Sequence, residues 1–308
     1  MRRKRLSRRA KSWIRPLEEE GIEPHPGPRF VNKNVDGLKS RNRFDNFLTQ
    51  ATNEHGRQKV QAFLIQEHNI PHADRHHYRQ VATRRGFAWF SNHQPASASK
   101  TRGSGTGILV PIDMIEKRKD AKGKELETAA QALERVQKSQ GGDKAGNVCS
   151  IRLITEGKYT RVTTAYAPQD SAKRPAFFKN SLAPYVTRDT VLGLDANVVP
   201  EPLLDLRRDA STPYDNAGAD ELAELVNGRG LLDACREQIG DDPFFTAHHR
   251  NKNGTITSTR IDQIYTPRRD AMLWSFESLH SFMPGRSEKK TGRALRGLLS
   301  PTARARHN

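Results

Sequence analysis

Six acidic or amide side chains stand just after short β-type runs: Asn34 and Asp36 in KNVDGL, Glu67 in FLIQEHN, Asp195 and Asn197 in LGLDANVV, and Asp262 in STRIDQIY. Strand ends are where the loops of an α/β sheet converge, so such residues can meet in one cleft. There they could hold a hard divalent cation. Magnesium is bound through one or two carboxylates, with water and substrate phosphate at its other positions, which suits phosphodiester hydrolysis. Taken singly, each residue has an ordinary explanation as well. Asp36-Gly37 is a turn dipeptide, Glu67 and Asp262 read as solvated strand-end carboxylates, and Asp195 and Asn197 as caps of the following loop. Tyr166 reads either as a strand aromatic of the core or as a phenol at the same cleft. The order and spacing of the whole set favour a shared site.

The elements that must position these residues are short. From Phe30 onward, β-like runs alternate with helical or polar stretches: FVNKNV, QAFLIQE, FAWFS, GTGILVP, NVCSIRLIT, YTRVTTAYA, DTVLGLDAN, GLLDACRE and TRIDQIYTP. Apolar spacing predicts helices over 42–55, 125–138, 174–186 and 216–226. This is a many-stranded α/β pattern without an internal repeat. Segment 113–144, rich in Lys, Glu, Gln and Ala, lies between two strand candidates and reads as an inserted, solvated excursion. His72, His76 and His77 have metal-like spacing, but in a polar segment with no nearby cysteine they predict a solvated face. The glycine-rich GSGTG (103–107) lacks the GK[ST] ending of a phosphate loop and reads as a flexible strand entry.

Six motifs, in order, resemble those of the endonuclease/exonuclease/phosphatase superfamily, and within it the endonuclease domains of non-LTR retrotransposons and the abasic-site endonucleases. They are NVDGL, the pair Gln66-Glu67, GTGIL, AYAP (165–168), the spaced set Gly193, Asp195 and Asn197, and TRID ending at Asp262. The resemblance runs from about Phe30 to Ile264 and implies a DNase I-like fold: a four-layer α/β sandwich, two packed mixed β-sheets flanked by helices. It also implies roles. Glu67 would be the principal Mg²⁺ ligand, with Asp36 near the metal and Mn²⁺ as the alternative ion. Asn34 would hydrogen-bond phosphate, Asp195 would orient or deprotonate the attacking water, Asn197 would hold the scissile phosphate, and Tyr166 would stabilise developing charge. Such a set is coherent, because phosphoryl transfer is mostly positioning and charge neutralisation. Arg250, Lys252 and Arg260, in or just before the TRID strand, are the candidate nucleic-acid contacts; a charged hairpin is the plain alternative for His248, His249, Arg250 and Lys252.

In the superfamily Asp262 would hold the histidine of a terminal S-D-H motif in its working tautomer. Here Gly285-Arg286-Ser287-Glu288-Lys289 falls where that motif belongs. Lysine, with an unperturbed pKa of about 10.4, is a poor proton acceptor, so turnover is expected to suffer. His280 has no acidic neighbour to replace the pair. The resemblance therefore implies a DNA-nicking phosphodiesterase impaired at its last motif; the alternative is a catalytically inactive nucleic-acid-binding remnant of a retroelement reading frame.

Charge agrees with a polyanionic partner. Lys and Arg number 52 against 35 Asp and Glu, a surplus of +17 with a pI near 10.1, and DNA is the first candidate. No run approaches a membrane span, and no basic amphipathic helix with an aromatic face suggests a membrane surface. No small-molecule cofactor is expected, and oligomeric state is open. Cys149 and Cys235 lie far apart, pointing to a reducing compartment, nuclear or cytoplasmic, without secretion. Residues 1–28 read as a basic arm with eight Lys or Arg in the first fifteen positions, able to bind phosphates or serve nuclear import. The end of that arm, GIEPHPGP, resembles a ribosome-skipping peptide with His25 in place of its asparagine. Residues 29–284 are then the folded domain, and 285–308 a second basic tail.

Overall fold

In the run VQAFLIQ both faces of the strand are apolar, so it must be covered on both sides. The computed structural model, which describes residues 28–93, 105–208, 214–251 and 254–268, meets that demand. Strands β1 (Arg29–Asn34), β2 (Val60–Gln66), β3 (Phe87–Asn92) and β4 (Thr106–Pro111) form a mixed sheet ordered β1-β2-β4-β3, and every residue of β2 is buried. Helix α1 (Arg41–Gln58) presents Phe44, Phe47, Leu48 and Ala51 as one apolar stripe. Ser40 starts it by accepting from the Arg43 amide at 3.3 Å, and Lys59 ends it in the left-handed region at φ 53°. Helix α2 (Arg75–Arg84) adds Tyr78 and Ala82. Both helices cover the outer face of the sheet through an aromatic cluster: Phe44 lies 4.9 Å from Tyr78 and 5.8 Å from Trp89, and Phe47 lies 6.5 Å from Phe63, all edge-on. Each fully buried side chain of this kind stabilises the fold by roughly 1.5–3 kcal/mol.

Helix α3 (Ala129–Lys138) leads into the second sheet. That sheet takes β5 (Gly141–Gly142), β6 (Val148–Thr155), β7 (Lys158–Tyr166) and β8 (Thr190–Asp195). After β9 (Leu206–Arg207), helix α4 (Ala219–Gly228) precedes β10 (Leu231–Asp233) and α5 (Ala234–Ile239). The hairpin of β11 (Ala247–Arg250) and β12 (Ile256–Thr259) then gives way to β13 (Asp262–Pro267). The second sheet is ordered β10-β13-β8-β7-β6-β5, and β9 joins the hairpin in a small sheet ordered β11-β12-β9.

Side-chain alternation assigns the layers. Ala62, Leu64, Phe90, Ile108 and Val110 of the first sheet meet Cys149, Ile151, Leu153 and Val162 of the second in one core. On the far face of the second sheet, Leu192, Leu194 and Tyr265 pack against Leu222 and Val226 of α4 and Phe177, Phe178 and Leu182 of the helical stretch 174–185. Helix, sheet, sheet, helix is the four-layer sandwich expected.

Three local expectations change. The 113–144 segment is not wholly solvated: a capping box of Thr128 and Gln131 starts α3, whose Ala132 and Val136 are fully buried, Val136 within the inter-sheet core. GLLDACRE is a strand of three residues and then a helix, because Asp233 Oδ1 accepts from the amides of Cys235 (3.1 Å) and Arg236 (3.3 Å) and caps it. The polar stretch with His76 and His77 is helix α2, and both histidines are exposed on it as foreseen. The basic arm up to residue 27, Lys252, the S-D-H position at 285–289, His280 and the tail lie outside the described residues.

Candidate active site

The strand registers bring the predicted residues together. In the second sheet Tyr166, Asp195 and Asp262 are consecutive cross-strand partners on β7, β8 and β13. In the first sheet Asn34 is the partner of Gln66, the residue before Glu67. The two rows meet through Asn34, whose Nδ2 donates to Glu67 Oε1 at 2.7 Å and to Asp195 Oδ2 at 2.9 Å. A single amide thus joins a carboxylate from each sheet, and each of its hydrogens has an acceptor.

The loops that carry these groups are tightly wound. Asp36, Glu67, Asn69 and Asn197 all have positive φ, between 45° and 56°. Asn and Asp tolerate this region, but for Glu67 it costs of order 1 kcal/mol, a strain typical of functional sites. Three backbone bonds hold the Asp36 and Glu67 loops side by side: Val35 N to Gln66 O (3.0 Å), Gly37 N to Glu67 O (2.7 Å) and Leu38 N to His68 O (2.6 Å). The amide of Asp36 donates to Asn34 Oδ1 at 3.0 Å while its own side chain is exposed. Asn197 caps its turn by donating from its backbone to Asp195 Oδ1 (3.2 Å) and from Nδ2 to Ala167 O (2.8 Å).

Electrostatically the site carries an excess of carboxylates. Burial, then the charge of Asp262, raises the Asp195 carboxyl well above its ordinary range, against a hydrogen bond from Asn34. Burial also pushes Asp262 up to about 6, opposed by a hydrogen bond with Thr246 and the charge of Lys33. Asp262 Oδ1 is enclosed and has no hydrogen-bond partner among the described residues. Tyr166 is 4% exposed, and its phenol accepts from Gln169 Nε2 at 3.0 Å. Burial, then the charges of Glu67 and Asp195, raises its pKa, so the phenol keeps its proton and remains a donor.

These features fit a hard cation. All the donors are oxygens, Glu67 and Asp36 lie on adjoining loops, and buried carboxylates without enough positive charge are what a divalent ion would neutralise. Among the described residues, no group of three or more His, Cys, Asp or Glu side chains forms a ready-made metal cage, so water and phosphate would complete the coordination sphere.

One predicted contact is corrected. Arg260 is fully buried: Nε and Nη2 donate to Asp205 at 2.8 and 2.9 Å, and Nη2 to Asp233 at 2.7 Å. Asp205 also pairs with Arg236. Burial works against the Arg260 charge, but the two carboxylates more than compensate and raise its pKa. A guanidinium enclosed in this way cannot reach a phosphate; it anchors the corner that leads to Asp262. Arg250 is exposed at the end of β11, where a phosphate could reach it. Sequence reasoning missed Thr246, whose Oγ1 accepts from the amides of Ile261 (3.1 Å) and Asp262 (3.0 Å) and fixes the start of β13. It also missed Gln169, and nothing in local spacing marks either residue.

No family model matches the chain, and no curated protein matches its sequence. Solved structures do match. The AP endonuclease LMAP from Leishmania major superposes with a TM-score of 0.54 at 15% identity, over 82% of this chain and 83% of that one. The 3′-5′ exonuclease NExo from Neisseria meningitidis gives 0.51 at 15% identity, over 79% and 87%. The endonuclease domain of TRAS1, a telomere-specific non-LTR retrotransposon, gives 0.45 at 13% identity, over 79% and 86%. Identities this low speak to architecture alone, and the architecture is a DNase I-like α/β sandwich.

Proposed function

We propose that this chain is a metal-dependent phosphodiesterase that nicks DNA, of the retrotransposon endonuclease type. The observation that carries the reading is the Asn34 amide bridging Glu67 and Asp195 beside Tyr166 and Asp262. Fold neighbours named as an AP endonuclease and a 3′-5′ exonuclease support it, as does the +17 charge. Glu67, with Asp36, would hold Mg²⁺ or Mn²⁺, which when bound neutralises charge on the phosphate. Asp195 orients a water and accepts its proton at a carboxylate oxygen. Asn34 holds Glu67 and Asp195 in place, Asn197 supplies its second amide hydrogen to a phosphate oxygen, and the Tyr166 hydroxyl donates to the charge that develops. Arg250, and Lys252 two positions later in the sequence, contact the DNA backbone.

A second reading is a DNA-binding remnant without turnover. It is favoured by the sequence, in which Ser287-Glu288-Lys289 stands where the resemblance places an S-D-H motif. Nicking of supercoiled plasmid with Mg²⁺ separates the two. Cleavage by the native chain that disappears in Glu67→Ala supports the enzyme; steeply salt-dependent DNA binding without cleavage supports the remnant.

A further inference from the structure

We infer that Asn32 is a positioning residue of this site: together with Gln66 it fixes the two sheets against each other, so that the catalytic side chains of one meet those of the other. The inference rests on the catalytic reading of the site. Asn32 spans the sheet interface. Its Nδ2 donates to the carbonyls of Leu194 and Gln263, each at 3.3 Å, on β8 and β13. Its Oδ1 accepts from Gln66 Nε2 at 2.7 Å, and the same Nε2 donates to Thr164 Oγ1 on β7, also at 2.7 Å. Thr164 in turn donates to Ile65 O at 3.3 Å. One run of hydrogen bonds therefore ties β13 and β8 to β1, β1 to β2, and β2 to β7.

Asn32, Gln66, Leu194 and Gln263 each lie within two positions of a site residue. Asn32 shares a face of β1 with Asn34, two residues on; Gln66 precedes Glu67, Leu194 precedes Asp195, and Gln263 follows Asp262. The approach also needs Gly193, where a Cβ would come within 2.6 Å of Asn32 Oδ1 and 2.8 Å of Leu64. Apolar contact between sheets is non-directional and lets them settle wherever packing is good. Hydrogen bonds to backbone carbonyls have direction and length, so they specify one register. Stability alone does not account for the set, since Gln66 is fully buried and its Oε1 has no partner among the described residues, which is a cost. What the lock provides is placement, and a displacement of about 1 Å in such a site lowers the rate by about 10²-fold.

The test compares Asn32→Leu and the milder Asn32→Ala with Leu192→Ala, a core truncation on the opposite face of β8 that touches none of these bonds. Two quantities are read: kcat and KM for plasmid nicking with Mg²⁺, and hydrogen exchange of the segments 35–38 and 194–198. The expected result is a kcat lowered by at least about tenfold, with KM within about twofold, and faster exchange in both segments than in Leu192→Ala at equal global stability. Rates and exchange that merely follow global stability, as in the control, overturn the inference. If the native chain does not nick DNA, the catalytic reading fails on its own, and exchange still decides the lock: local acceleration on both sheets supports it, and none refutes it.

Discussion

Arg260→Met removes one cation from a buried cluster whose charges balance: Arg236 and Arg260 against Asp205 and Asp233. Asp205 and Arg260 have side chains with 0% exposure, and Asp233 has 15%. Removing one partner of a buried pair costs about 3–5 kcal/mol, because the charge left behind is uncompensated. Arg236 remains on Asp205 and water reaches Asp233, so the lower end, about 3 kcal/mol, is the expected loss. For a domain of this size that is a fall in Tm of about 6–12 °C. Urea unfolding followed by far-ultraviolet circular dichroism measures it. Adding Asp205→Asn to Arg260→Met restores neutrality, leaving Arg236 with Asp233, and should recover at least about 1 kcal/mol. A single variant within about 0.5 kcal/mol of the native chain would refute the argument, since only surface substitutions cost so little. So would an Arg260→Met chain that folds well but whose salt dependence of DNA binding drops by about one unit, the mark of a lost phosphate contact.

Three further predictions rest on single sites. Hydrogen bonds from Arg135, outweighing burial, and from the Arg118 amide hold the Glu127 carboxyl down at about 2, below its ordinary 4.5. A depressed carboxylate stabilises the fold above its unfolded pKa and loses that contribution as pH falls toward the folded one, so urea midpoints should drop between pH 4.5 and 2 in the native chain and change less in Glu127→Gln. Gly105 has φ +84°, and a Cβ there would strike the ring of His68, whereas Gly86 at φ +80° faces open space. Gly105→Ala should therefore cost about 2–4 kcal/mol by thermal melting and Gly86→Ala only about 1; equal losses would mean that the His68 ring yields. Tyr166→Phe deletes a hydroxyl kept protonated by its surroundings, and nicking should slow by about 10²-fold with little change in melting temperature, as for loss of one donor to developing charge; an unaltered rate would assign the phenol to packing.

What was legible in the sequence is what depends on local alternation and on position relative to strand ends. The strands that lead to Asn34, Glu67, Asp195 and Asp262 follow from short β-type runs bounded by polar or turn residues, and the acids stand at their ends because the loops do. Helix α2 escaped that reading because only Tyr78 and Ala82 of its ten residues are buried, too thin a stripe to separate from a charged loop. The burial of α3 escaped for a related reason: the Lys, Glu and Gln around it outnumber Ala132 and Val136, the i, i+4 pair that docks it. Arg260 was misjudged through long-range pairing. Its nearest sequence context is a strand end in a chain with a large basic surplus, and the acid that makes its burial tolerable, Asp205, lies 55 residues earlier. No period or motif encodes a contact at that separation; a buried charge is recognised only by its partner. Asn32 shows the same limit from the other side. It shares the alternation of Asn34, which marks it as facing the second sheet, yet only the carbonyls of Leu194 and Gln263, more than 160 residues away in the chain, turn that orientation into a role.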